Sequence, residues 1–179
     1  MADHERALAA IERVLGLLAG VIMLAVMVLV SIDVAMRYLF NAPLGWAYDL
    51  ISLYLVAAIF FLALSDAYAH GAHVSVDILL TRASPRWRRW SEMLTALVGI
   101  VLFSLIGWAG FGRSLVNLAN DDRMSGLIAW PMFPAAALVP LGSAVLVLRL
   151  IQRLLGHLAS LVSGRDIIPA PIPQHAEIE

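Results

Sequence analysis

Apolar residues run along the chain in four blocks, about 14–36, 46–69, 91–116 and 131–155, separated by short polar connections. A hydrocarbon core about 30 Å thick is crossed by about 20 residues of helix, so each block is long enough to span it. The pattern predicts an all-α integral membrane protein, a bundle of four transmembrane helices in one domain over residues 1–160. The tail, 161–179, carries Pro169, Pro171 and Pro173 and cannot continue a helix, which predicts disorder there. The first block resembles a secretory signal only superficially. From Val14 to Met36 it is uncharged apart from Asp33, and it exceeds an h-region of about 7–15 residues, so it reads as a retained anchor.

Composition reinforces this reading. Hydrophobic residues make up 61% of the 179 positions and the mean hydropathy is +0.87, against roughly 45–50% apolar residues in soluble domains. Charged residues are only 14% of the chain, and all twelve basic ones are Arg. No basic patch of the nucleic-acid kind is present, so no nucleic-acid partner is expected. Cysteine is absent, which removes disulfides and thiolate chemistry together.

The arginines also predict orientation, because basic residues accumulate on cytoplasmic flanks. Arg6 and Arg13, then Arg82, Arg86, Arg88 and Arg89, then Arg149, Arg153 and Arg165 fall on one side, whereas Arg37, Arg113 and Arg123 fall on the other. Both termini and the middle connection are thereby expected in the cytoplasm. The turn at 37–45 and the connection at 117–130 would face outward. Trp46, Trp87, Trp90, Trp108 and Trp130 are read as belt residues near the predicted helix ends. The segment Thr81 to Glu92, with Pro85 suited to a first turn, predicts a short basic interfacial helix between helices two and three. There Arg86, Trp87, Arg88, Arg89 and Trp90 would anchor against phospholipid, or the arginines would only enforce topology.

Interior signals are sparse. Gly16 with Gly20, and Ser31 with Ala35, make small-xxx-small pairs in helix one. Pro140 falls ~15 Å into helix four and leaves the Ala136 carbonyl without its partner, predicting a kink. The central turns, near Leu24, Ala57, Leu102 and Ser143, hold no ionisable residue. Proton relays and ion pathways place such residues there despite the cost. Asp33 and Arg37 stand four apart in the favourable order for a helical ion pair.

Asp66, His70, His73 and Asp77 are spaced by four, three and four, so a continuing helix would align them on one face. A metal site is conceivable on such spacing, but mutual pairing or headgroup contact is the reading preferred here, and no metal is expected. No His lies deep enough to ligate haem. With no nucleophile constellation, phosphate loop or buried acid/base pair, neither a catalytic site nor a cofactor is expected. What remains is service to a neighbour, as a scaffold subunit in a larger membrane complex.

One segment is specific: Arg37-Tyr38-Leu39-Phe40-Asn41-Ala42-Pro43-Leu44-Gly45-Trp46, followed by Asp49. It resembles the small membrane subunit of tripartite ATP-independent periplasmic (TRAP) transporters, whose pattern runs Arg-Tyr, a bulky residue, Phe-Asn, a small residue, Pro, then Trp and an acid. His73-Val74-Ser75-Val76-Asp77 resembles that family's His-x-x-x-Asp segment, and Pro131-Met132 with Pro140-Leu141-Gly142 resembles its fourth helix. The resemblance covers about residues 10–155. It departs at Asp49, where Glu is usual, and at Ser65-Asp66, a stretch the family commonly makes small and apolar. In this motif Pro43 would fix a tight turn, Asn41 would bond its backbone, and Trp46 would anchor helix two. Asp49 would complement that helix's first turn, and Arg37 would reach Asp33 or Asp49.

The resemblance implies one part of a secondary importer with no enzymatic activity. Such a subunit braces a large membrane transport subunit, which takes an organic acid from a periplasmic substrate-binding protein and carries it inward on a sodium gradient. Arg37, Tyr38, Phe40, Asn41, Pro43, Trp46, Asp49, His73 and Asp77 become candidate partner or structural residues, and Asp121, Asp122 and Arg123 candidates for docking the binding protein. Two other classes stay open. A stand-alone four-helix carrier or efflux protein would need a membrane carboxylate, for which Asp33 is the outer-half candidate, and a membrane anchor of a respiratory complex would copurify with haem or quinone.

Overall fold

The computed structural model describes residues 2–69 and 85–163. Four helices carry the chain: α1 (Ala2–Phe40), α2 (Ala47–Ala69), α3 (Pro85–Ala119) and α4 (Phe133–Ser163). Each holds a segment long and apolar enough to cross a membrane: Leu8–Phe40, Ala47–Ala69, Trp90–Ala119 and Phe133–Ala159. The spans begin and end a few residues from where hydropathy alone places them, because backbone hydrogen bonding carries a helix past the edge of its apolar run. Residues 85–90 form the first turns of α3 itself. The rest of the expected interfacial helix, and the tail beyond 163, lie outside the described residues.

The helices do not close into a bundle. Contacts run α1 to α2, α2 to α4 and α4 to α3, an open row with α1 and α3 at its edges. Two small cores hold it. Ala19, Ala58 and Leu62 pack with Leu15, Ile22, Ala63 and Leu138 on the α1 side. Leu64, Ala96, Leu146 and Leu150 pack with Tyr68, Ile100, Phe103 and Leu154 on the α3 side. In hydrocarbon no hydrophobic effect drives helices together, so close steric fit and polar contacts must do it.

Helix α1 shows how the fit is coded. Its covered positions are Gly16 and the series Leu8, Glu12, Leu15, Ala19, Ile22, Val26, Leu29, Asp33 and Met36, which alternates by four and three along the helix. That is a heptad seam, the period that keeps one face of a helix against a neighbour. The small-residue spacings behave differently. Gly16 meets α2, since a Cβ there would stand 2.7 Å from Asp66 Oδ2, but Gly20 faces open space. Ser31 and Ala35 are exposed, and the Ser31 hydroxyl donates to the Met27 carbonyl of its own helix.

Elsewhere the tightest approach is at Gly142 on α4, where an added Cβ would collide with the Phe61 carbonyl oxygen of α2. Only glycine lets these two backbones meet there. The α4 helix continues through Pro140 two residues earlier. In α2, the π-helical turn Ile51–Leu55 interrupts the α pattern, an insertion that re-aims the side chains following it.

These contrasts predict opposite outcomes for one substitution. Gly142→Ala, forced against a backbone atom, costs about 1–3 kcal/mol and lowers the melting temperature of the purified protein in detergent. Gly20→Ala fills open space in a helix and gains up to about 1 kcal/mol. Equal melting temperatures for the two variants would reject the row packing described above.

Candidate partner-facing site at the helix ends

The turn joining α1 to α2 is built around Asp33. Its Oδ1 accepts the Leu44 backbone N–H at 2.7 Å, and its Oδ2 accepts from Arg37 Nη2 at 3.0 Å. One carboxylate thus ties the last turns of α1 to the start of the next helix. Asn41 adopts φ 52°, a left-handed conformation that Asn tolerates better than most residues and that stops a helix. The Ala42 N–H reaches back to the Met36 carbonyl at 3.2 Å, and the Ala47 N–H to Leu44 at 2.9 Å. Trp46 is the half-buried N-cap residue of α2. Around this frame Tyr38, Leu39, Phe40 and Tyr48 are widely exposed, Tyr38 at 83%.

The connection from α3 to α4 packs beside that turn. Asp122 N–H bonds to the Asn117 carbonyl at 3.0 Å and Asp121 N–H lies 3.4 Å from that of Leu118, with Asp121 at φ 50°. This is a Schellman end with an aspartate in the place glycine usually holds. Beyond it the chain doubles back: Met124 N–H donates to Trp130 at 2.8 Å, Met132 N–H to Asp122 at 2.9 Å, and Arg123 pairs with Pro131 in an isolated antiparallel bridge. Arg123 also holds Asp121 through Nε and Nη2 at 3.0–3.2 Å, in an exposed pair.

Four contacts join the α3–α4 connection to the first turn and the start of α2. The Asp49 carboxylate lies 2.8 Å from where a Cβ on Gly126 would stand, and Leu127 packs near Gly45. Tyr54, in the π turn, donates its hydroxyl to the Pro131 carbonyl and meets the Trp130 ring edge-on at 5.9 Å.

At the opposite end, three helices converge on a buried carboxylate. Glu12 is 2% exposed; its Oε1 accepts the Ser65 hydroxyl at 2.6 Å and stands 3.5 Å from Arg149 Nε. Beside it the Asp66 carboxylate lies over Gly16. One turn further along α4, Arg153 donates to the Ala69 carbonyl at 3.2 Å and stacks its guanidinium 4.8 Å from the Tyr68 ring centre.

Comparison with known proteins bears on what these ends serve. The family model for the DctQ component of tripartite ATP-independent periplasmic transporters matches residues 26–160. A TRAP transporter small permease protein of Haemophilus influenzae is 29% identical over 143 residues, 79% of this chain and 88% of that one. No solved structure matches the chain. The chain belongs to the DctQ family. It is the small membrane subunit of a TRAP transporter.

In this DctQ-family subunit the structure settles the choice left to Arg37, which pairs with Asp33, while Asp49 turns to Gly126. Trp87 and Trp90 are exposed at the start of α3, and Leu94 and Ser91 share an apolar pocket of about 580 Å³ with them. The side chains of Arg86, Arg88 and Arg89 fall outside the described residues, as do His70, His73 and Asp77; no metal cluster occurs among the described ones. Two further tryptophans have other surroundings. Trp130 is packed against Tyr54. Trp108 is exposed but lies eleven residues before the end of α3, ~16 Å at the helical rise, so it is no end anchor.

Sequence reasoning missed Glu12, Ser65 and Arg149 as a unit, reading Arg149 only as a topology signal. A signal was present: Glu12 stands three heptads before Asp33 in the same seam.

The two partners of Asp33 separate by substitution. Asp33→Ala strips a charge-assisted bond from the Leu44 N–H and costs about 1.5–3 kcal/mol, loosening the turn to limited proteolysis. Arg37→Ala removes an ion pair whose cation is largely exposed and costs about 0–1 kcal/mol. Equal protease sensitivity of the two variants would show that Asp33 does not organise this turn.

Proposed function

We propose that this subunit does not carry solute. It braces the large membrane transport subunit and offers its outer connections to the periplasmic substrate-binding protein, during sodium-driven uptake of an organic acid across the inner membrane. The observation carrying this reading is the open row of helices. A chain that shields its own solute path surrounds it, whereas this one leaves both flanks of α1 and α3 uncovered, with Leu17, Val21, Leu24, Leu105 and Trp108 outward. Single exposed apolar residues are ordinary for a membrane protein, but an open row offers a partner two broad, continuous faces.

The ionisable groups support the same reading. Among the described residues of α1, Glu12 and Asp33 are separated by 21 residues, ~31 Å of helix, so the carboxylates stand at the two edges of a bilayer core rather than within it. The arginine distribution supports a reading with the termini in the cytoplasm and the Arg37–Trp46 and Asn117–Trp130 connections outside. There the exposed Tyr38, Phe40, Tyr48 and Leu127 stand beside the charged Asp121–Arg123 pair, a mixed surface suited to a soluble protein partner.

Two measurements test this. Copurification from native membranes recovers a large polytopic subunit with this chain, while the purified chain alone in sealed vesicles moves no solute; accumulation by the chain alone overturns the proposal. Arg123→Glu lowers uptake several-fold and leaves the yield of the membrane complex unchanged. The arginine is chosen over Asp121, whose left-handed backbone would confound the result. Unchanged uptake by Arg123→Glu removes the α3–α4 connection from the docking surface.

A further inference from the structure

We infer that Glu12, Ser65 and Arg149 form an interhelical latch that sets the register of the edge helix α1 against the rest of the row. The argument begins with what the seam of α1 lacks. Between its two acids the covered residues are Leu15, Gly16, Ala19, Ile22, Val26 and Leu29; apart from Gly16, which lies against Asp66, this run of small and branched apolar side chains presents nearly the same surface after a shift of seven residues. Apolar heptads fix the angle at which helices pack but not their register, which polar residues at seam positions specify.

Helix α1 needs that information more than its neighbours do. It stands at an edge of the row with α2 as its main neighbour, and α2 offers it Ala58, Leu62 and Ala63, equally featureless. The two acids of the seam resolve the ambiguity. Asp33 is held at one end by the Leu44 N–H and Arg37, both on neighbouring chain. Those contacts tie α1 to the start of α2 only through the short connection at 41–46, at one end of the seam.

Glu12 alone reaches residues distant in sequence. Ser65 is small enough to let the α4 arginine pass over α2 and approach the α1 carboxylate, so one hydroxyl and one cation from two different helices converge on a single Oε1. Glu12 and Arg149 side chains are 2% and 20% exposed, and a carboxylate so covered cannot exchange its partners for water. A slip of one heptad in the direction that advances α1 would bring Ala19 to the place of Glu12 and strand Arg149 among apolar groups. Arg149 is thereby committed to the protein interior, as a positioning residue, rather than to lipid headgroups.

The chain contains no cysteine, so paired cysteines report register cleanly. In the assembled complex, Ala19→Cys with Ala58→Cys, two members of one packed cluster, cross-links with a short bifunctional maleimide, and Val26→Cys with Ala58→Cys, one heptad away, does so weakly. Arg149→Gln, which strands the carboxylate, lowers the ratio of the first product to the second by about tenfold. Glu12→Asp, shorter by one methylene, lowers it less. The charge swap Glu12→Arg with Arg149→Glu restores the ratio. A ratio unchanged by Arg149→Gln, or a swap no better than Arg149→Gln alone, overturns the latch. The readout lies within this chain, so it stands or falls independently of whether the complex imports an organic acid.

Discussion

A carboxylate shut away from water must bring its partners with it, because the solvation lost on burial is not recovered from apolar neighbours. Much of this subunit's architecture follows from how its few charges meet that condition. Glu12 takes a hydroxyl from α2 and a guanidinium from α4; Asp33 takes a backbone N–H and the arginine one turn on. Between these two knots, from Val14 to Ile32, α1 carries no charged residue, a stretch about as long as the bilayer core is thick. The helix is therefore held at both ends by polar contacts and along its length only by shape.

Shape is enough where glycine and alanine let backbones meet. Gly142 brings α4 onto the Phe61 carbonyl, and Ala19 and Ala58 bring α1 onto α2. Close approach multiplies weak dispersion contacts, the main attraction left between apolar helices in an apolar solvent. The consequence is a row, not a ring. Each helix has a close seam with one or two neighbours, and the outward faces of α1 and α3 are left with apolar side chains that this chain does not cover.

The two ends of the row are built by different means. At the Arg37 end, loop backbones are stapled to one another: Asn41 and Asp121 take left-handed conformations, Asp49 leans on Gly126, and Tyr54 reaches Pro131. The result is a surface of two connections acting as one. At the Glu12 end the staples are side chains of the helices themselves. Arg149 and Arg153 both turn inward there, one to a carboxylate and one to the last described carbonyl of α2. Membership in the DctQ family gives this asymmetry a setting, a small TRAP subunit whose ends face different compartments.

The sequence by itself determined the class of the molecule, since four apolar runs of membrane-spanning length leave a chain no other way to bury its surface or satisfy its backbone. It also determined the Asp33–Arg37 pair, because the two side chains stand one helical turn apart. Only the tertiary structure decided that the helices form an open row, that Asp49 faces Gly126 rather than Arg37, and that Arg149 belongs to Glu12. Those outcomes depend on which helix stands beside which, and hydropathy, which sums over one segment at a time, carries no term for a contact made across a small residue of a third helix.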